Sequence, residues 1–361
     1  MEKKRQMRTI IKKLNKENLN QEEGKEIIQK ATEFLREGKL VAFPTETVYG
    51  LGADGLNEKA AEKIYAAKGR PSDNPLILHI AREEQLSQLV KSVPKKAKIL
   101  IEKYWPGPLT MIFEKSEIVP YGTTGGLETV AIRMPDHPVA RAILLESNIA
   151  VAAPSANTSG RPSPTKAEHV EADLDGKIDM IIDGGEVGIG IESTIVDMTV
   201  EPPMILRPGY ITKEMLSDTL GDIAVDQAVL KKPDPGIRPK APGMKYKHYA
   251  PKGDLHLFSG EIDRVVSRIN ELARQKVEAG CKVGIIATDE TISKYQYGKV
   301  LSIGKRVDEN SIAHNLYRVL RDFDEAGVEY ILGEAFSENN FGQAIMNRLN
   351  KAAAYQIEHV E

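Results

Sequence analysis

Short apolar runs alternate with amphipathic stretches over the first two thirds of the chain. LVAF (40–43), LILHI (76–80), LTMIFEK (109–115), TVAIRM (129–134), IAVAA (149–153), DMIID (179–183), STIVDM (193–198) and MILR (204–207) predict strands. Between them the apolar positions recur at helical spacing. Ile27, Ile28, Phe34 and Leu35 predict a helix over 21–37, and further helices are predicted around 58–68, 95–104, 138–147 and 166–172. Short turns join several of the later strands, so the sheet of residues 1–217 is predicted to be mixed.

The texture then changes. KKPDPGIRPKAPGMKYKHYAPK (231–252) holds five prolines, and seven Lys/Arg against one Asp. Proline can neither continue a helix nor sit in a central strand, so 218–253 is predicted to be an extended basic linker. Met244, Tyr246, His248 and Tyr249 are costly in a mere spacer and predict a segment that docks. Residues 254–361 return to alternation. Strands in DLHLFSG, CKVGIIATD, KVLSIGK and VEYILGEAF, with helices over 262–278, 309–325 and 342–355, predict a small parallel α/β domain.

Composition narrows the class. The 361 residues are 41% hydrophobic and 28% charged, as in an ordinary globular protein. At roughly 100–200 residues per domain, two domains are expected. The single cysteine, Cys281, excludes an intrachain disulfide and reads as a buried, inert thiol in a reducing compartment. MEKKRQMRTIIKKLNKE is basic without an apolar stretch of the secretory kind, and no run suits a membrane span, so the protein reads as cytoplasmic. A net charge of −3 provides no global field for nonspecific nucleic-acid binding.

The chemistry begins at PTETVYGLGADG (44–55), whose tail fits G-x-G-x-x-G. A dinucleotide loop needs an acid about 20 residues on, at the end of a second strand. Asp73 has that distance but lies in the loop GRPSDNP, and PTETVY separates the first strand from the glycines. The dinucleotide reading is therefore set aside. What remains is a loop offering Thr45, Glu46, Thr47 and Tyr49 beside a glycine that admits close backbone approach. Lys68 and Arg70 flank Gly69 before Pro71, a constrained pair of cations suited to a polyphosphate, with Asn74 and His79 just downstream. Arg133 interrupts an apolar strand and must be paired or face a cleft. APSANTSGRPSPT (153–165) supplies Ser155, Asn157, Ser159, Arg161 and Ser163 as anion donors. Ser193, Thr194 and Arg207 follow near later strands. There is neither a P-loop nor a G-x-S-x-G, and the seven histidines are scattered without metal-ligand spacing.

PTETVYGLGADG, KGRPSDNPLILHI, WPGPLT, AIRMPDHP, APSANTSGRPSPT, IESTIVD, ILRPG and PGMKYKHYAP occur in an order that resembles the threonylcarbamoyl-AMP synthases, the YrdC-like family in its long two-domain form. The resemblance runs through about residues 20–252. It implies a YrdC-like twisted mixed sheet with a concave cavity over 1–217 and a smaller Rossmann-like domain over 254–361. It also implies synthesis of threonylcarbamoyl-AMP and pyrophosphate from L-threonine, bicarbonate (or CO2) and ATP with Mg2+. Partner transferases would pass the product to the adenosine beside the anticodon of certain tRNAs.

Carried over motif by motif, Thr47, His79, Arg133, Ala153 and Ser193 would bind threonine. Lys68, Arg70, Asn74, Thr129, Ser155, Asn157, Ser163, Arg207 and Tyr249 would bind ATP. Lys68 and Arg70 would stabilise charge as a carbamate oxygen attacks the α-phosphate. The linker would close over the site as a lid. Rival readings are a carbamoyl-transferring enzyme of hydrogenase maturation, a non-catalytic protein binding RNA on the concave face, and a nucleotide-binding oxidoreductase. Weak RNA contact stays open, and no membrane contact is expected.

Overall fold

The computed structural model describes residues 8–230, 239–242 and 248–361. Met244 and Tyr246 of the Pro-rich stretch lie outside these residues. The chain divides into two compact units. One comprises Met1–Ser159, Ser163–Gly188 and Glu192–Lys245, the other Gly160–Pro162, Ile189–Ile191 and Tyr246–Glu361.

The first unit carries β1 (Ile10–Lys13), β2 (Val41–Phe43), β3 (Gly50–Asp54), β4 (Ile77–His79), β5 (Leu109–Glu114), β6 (Thr129–Arg133), β7 (Val151–Ala152), β8 (Met180–Asp183), β9 (Thr194–Asp197), β10 (Met204–Arg207) and β11 (Ala224–Val225). They form one sheet in the order β1-β8-β2-β3-β7-β4-β6-β5-β9-β10-β11. Parallel pairs such as β4/β6 and β5/β9 alternate with antiparallel ones such as β3/β7 and β5/β6, so the sheet is mixed as expected.

The strands read as unbroken apolar runs because both faces are covered. In β2, Val41 and Phe43 pack with Ile27, Phe34 and Leu35 of the helix Glu22–Arg36, while Ala42 joins a second core on the opposite face. At the other end of the sheet, Leu78, Met111, Phe113, Ile132 and Val196 enter that second core. Their neighbours Ile77, Ile112, Ala131, Ile195 and Leu206 form a small cluster on the reverse face, into which Ala241 packs.

Three strands depart from the expectations. β1 is an exposed edge strand in the basic N-terminal stretch, recognisable only by its pairing with β8. β11 pairs with β10, and the helix Lys213–Leu220 runs on past residue 217. The third is β3, which contains the first two glycines of G-x-G-x-x-G and sits between β2 and β7.

Packing explains those glycines. A Cβ at Gly52 would stand 2.6 Å from Phe43 Cε1, and one at Gly55 would stand 2.2 Å from Leu78 Cδ2 and 2.8 Å from the Ala150 carbonyl oxygen. They let a strand and its exit pass through a crowded sheet centre.

The second unit has β12 (Asp254–Gly260), β13 (Val283–Ala287), β14 (Lys299–Ser302), β15 (Tyr330–Glu334) and β16 (Ile357–Val360). They form a parallel sheet in the order β14-β13-β15-β12-β16, flanked by the helices Ile262–Glu278, Glu309–Glu325 and Gly342–Ala352. Connections from β13 and β15 leave in opposite directions, the place where such sheets usually bind ligands. Here the unit's own side chains meet there: buried Glu334 accepts from Thr291 Oγ1 at 2.5 Å and from the Tyr295 hydroxyl at 2.7 Å, and pairs with Arg306. Cys281 is half-buried at the edge of this unit's core rather than enclosed within it.

Gly55→Ala is expected to lower unfolding free energy by about 1–3 kcal/mol through overpacking. Gly188→Ala, whose Cβ would find its nearest atom 3.9 Å away, should stay within about 0.5 kcal/mol of wild type. Urea melts of both variants check this, and equal losses would contradict the packing account.

Candidate functional site

Side chains alternate across a strand, so residues two apart share a face. That rule puts His79 on the face of Ile77, Thr110 with Ile112, and Thr129 and Arg133 with Ala131. Strand register then sets His79 and Thr110 beside Arg133, on β4 and β5 respectively. The sheet thus gathers polar groups from separate motifs around one buried cation, floored by the small apolar cluster. Thr129 shares the face but lies four residues away along β6, about 13 Å at ordinary strand rise.

Arg133 is the centre of this arrangement. Its Nη1 donates to Thr47 Oγ1 at 2.9 Å, its Nε to the Gly107 carbonyl at 3.3 Å, and its Nη2 lies 2.6 Å from Glu46 Oε1. The ion pair is buried, with the side chains 5% and 14% exposed. Thr45 Oγ1 stands 2.8 Å from Thr47 Oγ1 and donates to the Val48 carbonyl, which locks the PTETVYG loop around Thr47. Tyr49 turns elsewhere: its hydroxyl donates to the Gly185 carbonyl at 2.6 Å. His79 is buried beside Arg133, and desolvation, reinforced by the guanidinium charge, lowers its pKa to about 3. It is therefore a neutral imidazole at physiological pH.

Lys68 ends the helix Glu58–Lys68, which Gly69 closes in a left-handed conformation at φ 62°. Its ammonium is buried and donates to the Ser155 carbonyl and, at 2.5 Å, to the Asn157 carbonyl. The Ser159 amide donates to the Lys68 carbonyl at 2.8 Å, so the KGRPSDN loop and the 153–165 loop are tied together. Arg70 folds back on its own loop, donating to the Asn74 and Pro75 carbonyls. Asn74 Oδ1 is buried and has no hydrogen-bond partner among the described residues. With its amide turned over, it offers a donor at the same point.

Ser193 Oγ is 2.8 Å from Thr110 Oγ1 and accepts from Arg207 Nη2 at 3.2 Å. Arg207 Nη1 also reaches the Pro242 carbonyl at 3.4 Å, while Nε holds the Ser193 carbonyl. Ser163 donates to Glu192 Oε1 at 2.5 Å. The Ala153 amide donates to the Ile77 carbonyl. Arg161 pairs with Asp324 in the second unit rather than standing with the other 153–165 donors. Tyr249 belongs to the second unit as well, where its ring stacks on Tyr317 at a centroid distance of 5.3 Å. Its φ of 64° is unusual for a non-glycine residue.

Thr110, Glu192 and the pairing of Arg133 with Glu46 emerge only from the structure. The strand alternation in WPGPLTMIF could have marked Thr110 as facing Arg133. Nothing local pairs Glu46 with a strand 87 residues away.

Fold and cluster together define an α/β protein with a buried cluster of charged and polar side chains. Comparison with known proteins makes the assignment specific: the chain belongs to the threonylcarbamoyl-AMP synthase family. Residues 33–209 match the Sua5/YciO/YrdC family described as "Telomere recombination", and residues 211–354 match "Threonylcarbamoyl-AMP synthase, C-terminal domain". The threonylcarbamoyl-AMP synthase of Pyrococcus abyssi is 50% identical over 330 residues, 91% of this chain and 95% of that one. That of Bacillus subtilis is 49% identical over 331 residues, covering 91% and 94%. The crystal structure of P. abyssi Sua5 complexed with L-threonine matches with a TM-score of 0.91 at 47% identity, over 98% of this chain and all (100%) of that one. The protein is an enzyme of the adenylate-forming, nucleotidyl-transfer kind.

His79 gives a pH test. Below about pH 6.5 the unfolded chain protonates this residue, whereas the folded chain resists until about pH 3. Its contribution is fully present above pH 6.5 and is lost as pH falls between those values, with a slope of up to about 1.4 kcal/mol per pH unit. In denaturant melts from pH 7 to pH 4, His79→Gln should show a shallower loss of stability than wild type. Parallel curves would contradict the assignment of a neutral, buried imidazole.

Proposed function

We propose that this protein is an L-threonylcarbamoyladenylate synthase. It converts L-threonine, bicarbonate or CO2, and ATP entering as its Mg2+ complex into threonylcarbamoyl-AMP and pyrophosphate, with water released as the threonine amine forms its carbamate from bicarbonate. The product supplies a tRNA threonylcarbamoyl transferase that modifies the adenosine next to the anticodon. The observation that carries the reading is the buried Arg133 cluster, set in a chain closely similar throughout to a Sua5 protein crystallised with L-threonine.

Thr47, His79, Arg133, Ala153 and Ser193 are assigned to threonine. Arg133 supplies the fork for the carboxylate, and neutral His79 contributes hydrogen bonding without adding charge. Lys68, Arg70, Asn74, Thr129, Ser155, Asn157, Ser163, Arg207 and Tyr249 are assigned to ATP. Catalysis is placed in residues 1–217, with 218–253 as a linker and 254–361 as an accessory domain.

The carbamate oxygen attacks the α-phosphorus, a new P–O bond forms, and pyrophosphate leaves with the old bond's electrons. Negative charge crowds the reacting centre, and Lys68 and Arg70 are the groups that offset it. Lys68 is held in advance by two backbone carbonyls, so little reorganisation is needed as the charge develops.

The decisive assay is pyrophosphate release from MgATP, with threonine and bicarbonate each omitted in turn and mass spectrometry for the adenylate. Release requiring both substrates is expected, and release requiring neither would overturn the proposal. Lys68→Met keeps the buried stem and removes the charge. It should lower kcat/KM by about 100-fold or more, with folding checked by thermal melting.

A further inference from the structure

The proposed roles leave Glu46 without a task, although its position is costly. Oε1 lies 2.6 Å from Arg133 Nη2. That contact lacks hydrogen-bond geometry: both Glu46 carboxylate oxygens and Arg133 Nη2 are buried without a hydrogen-bond partner among the described residues. A buried carboxylate oxygen left unsatisfied is unfavourable and calls for an explanation. Nearby, His137 Nδ1 is likewise buried without a hydrogen-bond partner among those residues. His137 feels the Glu46 charge, which opposes the lowering of its pKa by burial. The surroundings of Glu46 are thus polar and incompletely satisfied.

We propose that Glu46 binds the α-ammonium group of the amino-acid substrate while Arg133 binds its carboxylate. This rests on the reading of L-threonine as substrate and extends it to the basis of amino-acid recognition. A zwitterion carries both charges on one carbon, and the buried pair presents the complementary two side by side. On binding, one protein–protein ion pair is exchanged for two protein–ligand pairs. Neither the ligand nor the site contributes net charge to the buried volume, which limits the desolvation penalty. The Glu46 carboxylate also sits against the Arg133 guanidinium as a counter-charge before substrate arrives, so the cation is not buried alone. An anion lacking the ammonium would take Arg133 and leave Glu46 a buried charge without its counterion, and is therefore rejected.

The test uses the full-length protein and two probes: L-threonine, and its 2-hydroxy analogue of the same configuration, in which the amine is replaced by a hydroxyl. Binding of each is measured by calorimetry beside threonine-dependent pyrophosphate release. Wild type should prefer threonine by about 30-fold or more. Glu46→Gln should weaken threonine by about 10-fold or more, reduce the preference to about threefold or less, and leave the KM for ATP unchanged. Glu46→Asp keeps the charge and should recover part of the preference.

Equal loss of both probes in Glu46→Gln would mean that Glu46 only positions Arg133, and would overturn the proposal. So would unchanged threonine binding in that variant. If Glu46→Gln does not fold, the wild-type comparison decides: equal binding of the two probes rejects ammonium recognition. Threonine binding without threonine-dependent turnover would count against the synthase reading and not against Glu46. Failure of wild type to bind threonine would overturn both.

Discussion

A guanidinium buried at the end of a central strand has to be paired, and the Arg133 side of the site is organised by that requirement. Its three donor nitrogens reach the Gly107 turn before β5, Thr47 in the loop after β2, and Glu46 in the same loop. One side chain therefore fixes the relative positions of three segments that are far apart in sequence. The same charge helps keep His79 neutral, so the neighbour on β4 acts as a hydrogen-bonding group rather than a second cation. Breaking such a pair by removing one partner is expensive because the other charge stays buried.

The sheet makes this concentration of polar groups tolerable. Most of its strands are covered on both faces, and the large cores carry the stability. The face bearing His79, Thr110, Arg133 and Ser193 instead rests on a small cluster of Ile77, Ile112, Ala131, Ile195 and Leu206. Strand alternation lets one residue of a strand serve the core while the next serves the site. Lys68 extends the logic to a helix end, where the left-handed Gly69 turns the chain and the buried ammonium clamps the loop after β7.

The glycine run shows how a local pattern can mislead about its cause. G-x-G-x-x-G in a dinucleotide-binding protein makes room for pyrophosphate. In this chain Gly52 and Gly55 make room for Phe43, Val151 and Leu78. The spacing is the same, but the neighbours come from other strands. β1 and β11 escaped sequence reading for a related reason. An exposed IIKK edge and a two-residue strand carry almost no periodic signal, and each is defined by its partner.

The sequence alone determined the features whose physics is local. The helices Glu58–Lys68, Lys95–Tyr104 and Pro138–Ser147 follow from apolar spacing and their end residues. The central strands follow from apolar runs bounded by turn residues, and the motifs from the scarcity of reasons for Lys68, Arg70 and Arg133 to occur where they do. Only the tertiary structure decided which groups meet. It paired Glu46 with Arg133, Ser163 with Glu192 and Ser193 with Thr110, turned Tyr49 away to Gly185, and sent Arg161 to Asp324. Periodicity says which face a residue occupies. Pairing depends on strand order and register, which are set by the packing of the whole sheet and carry no signature in any short stretch of chain.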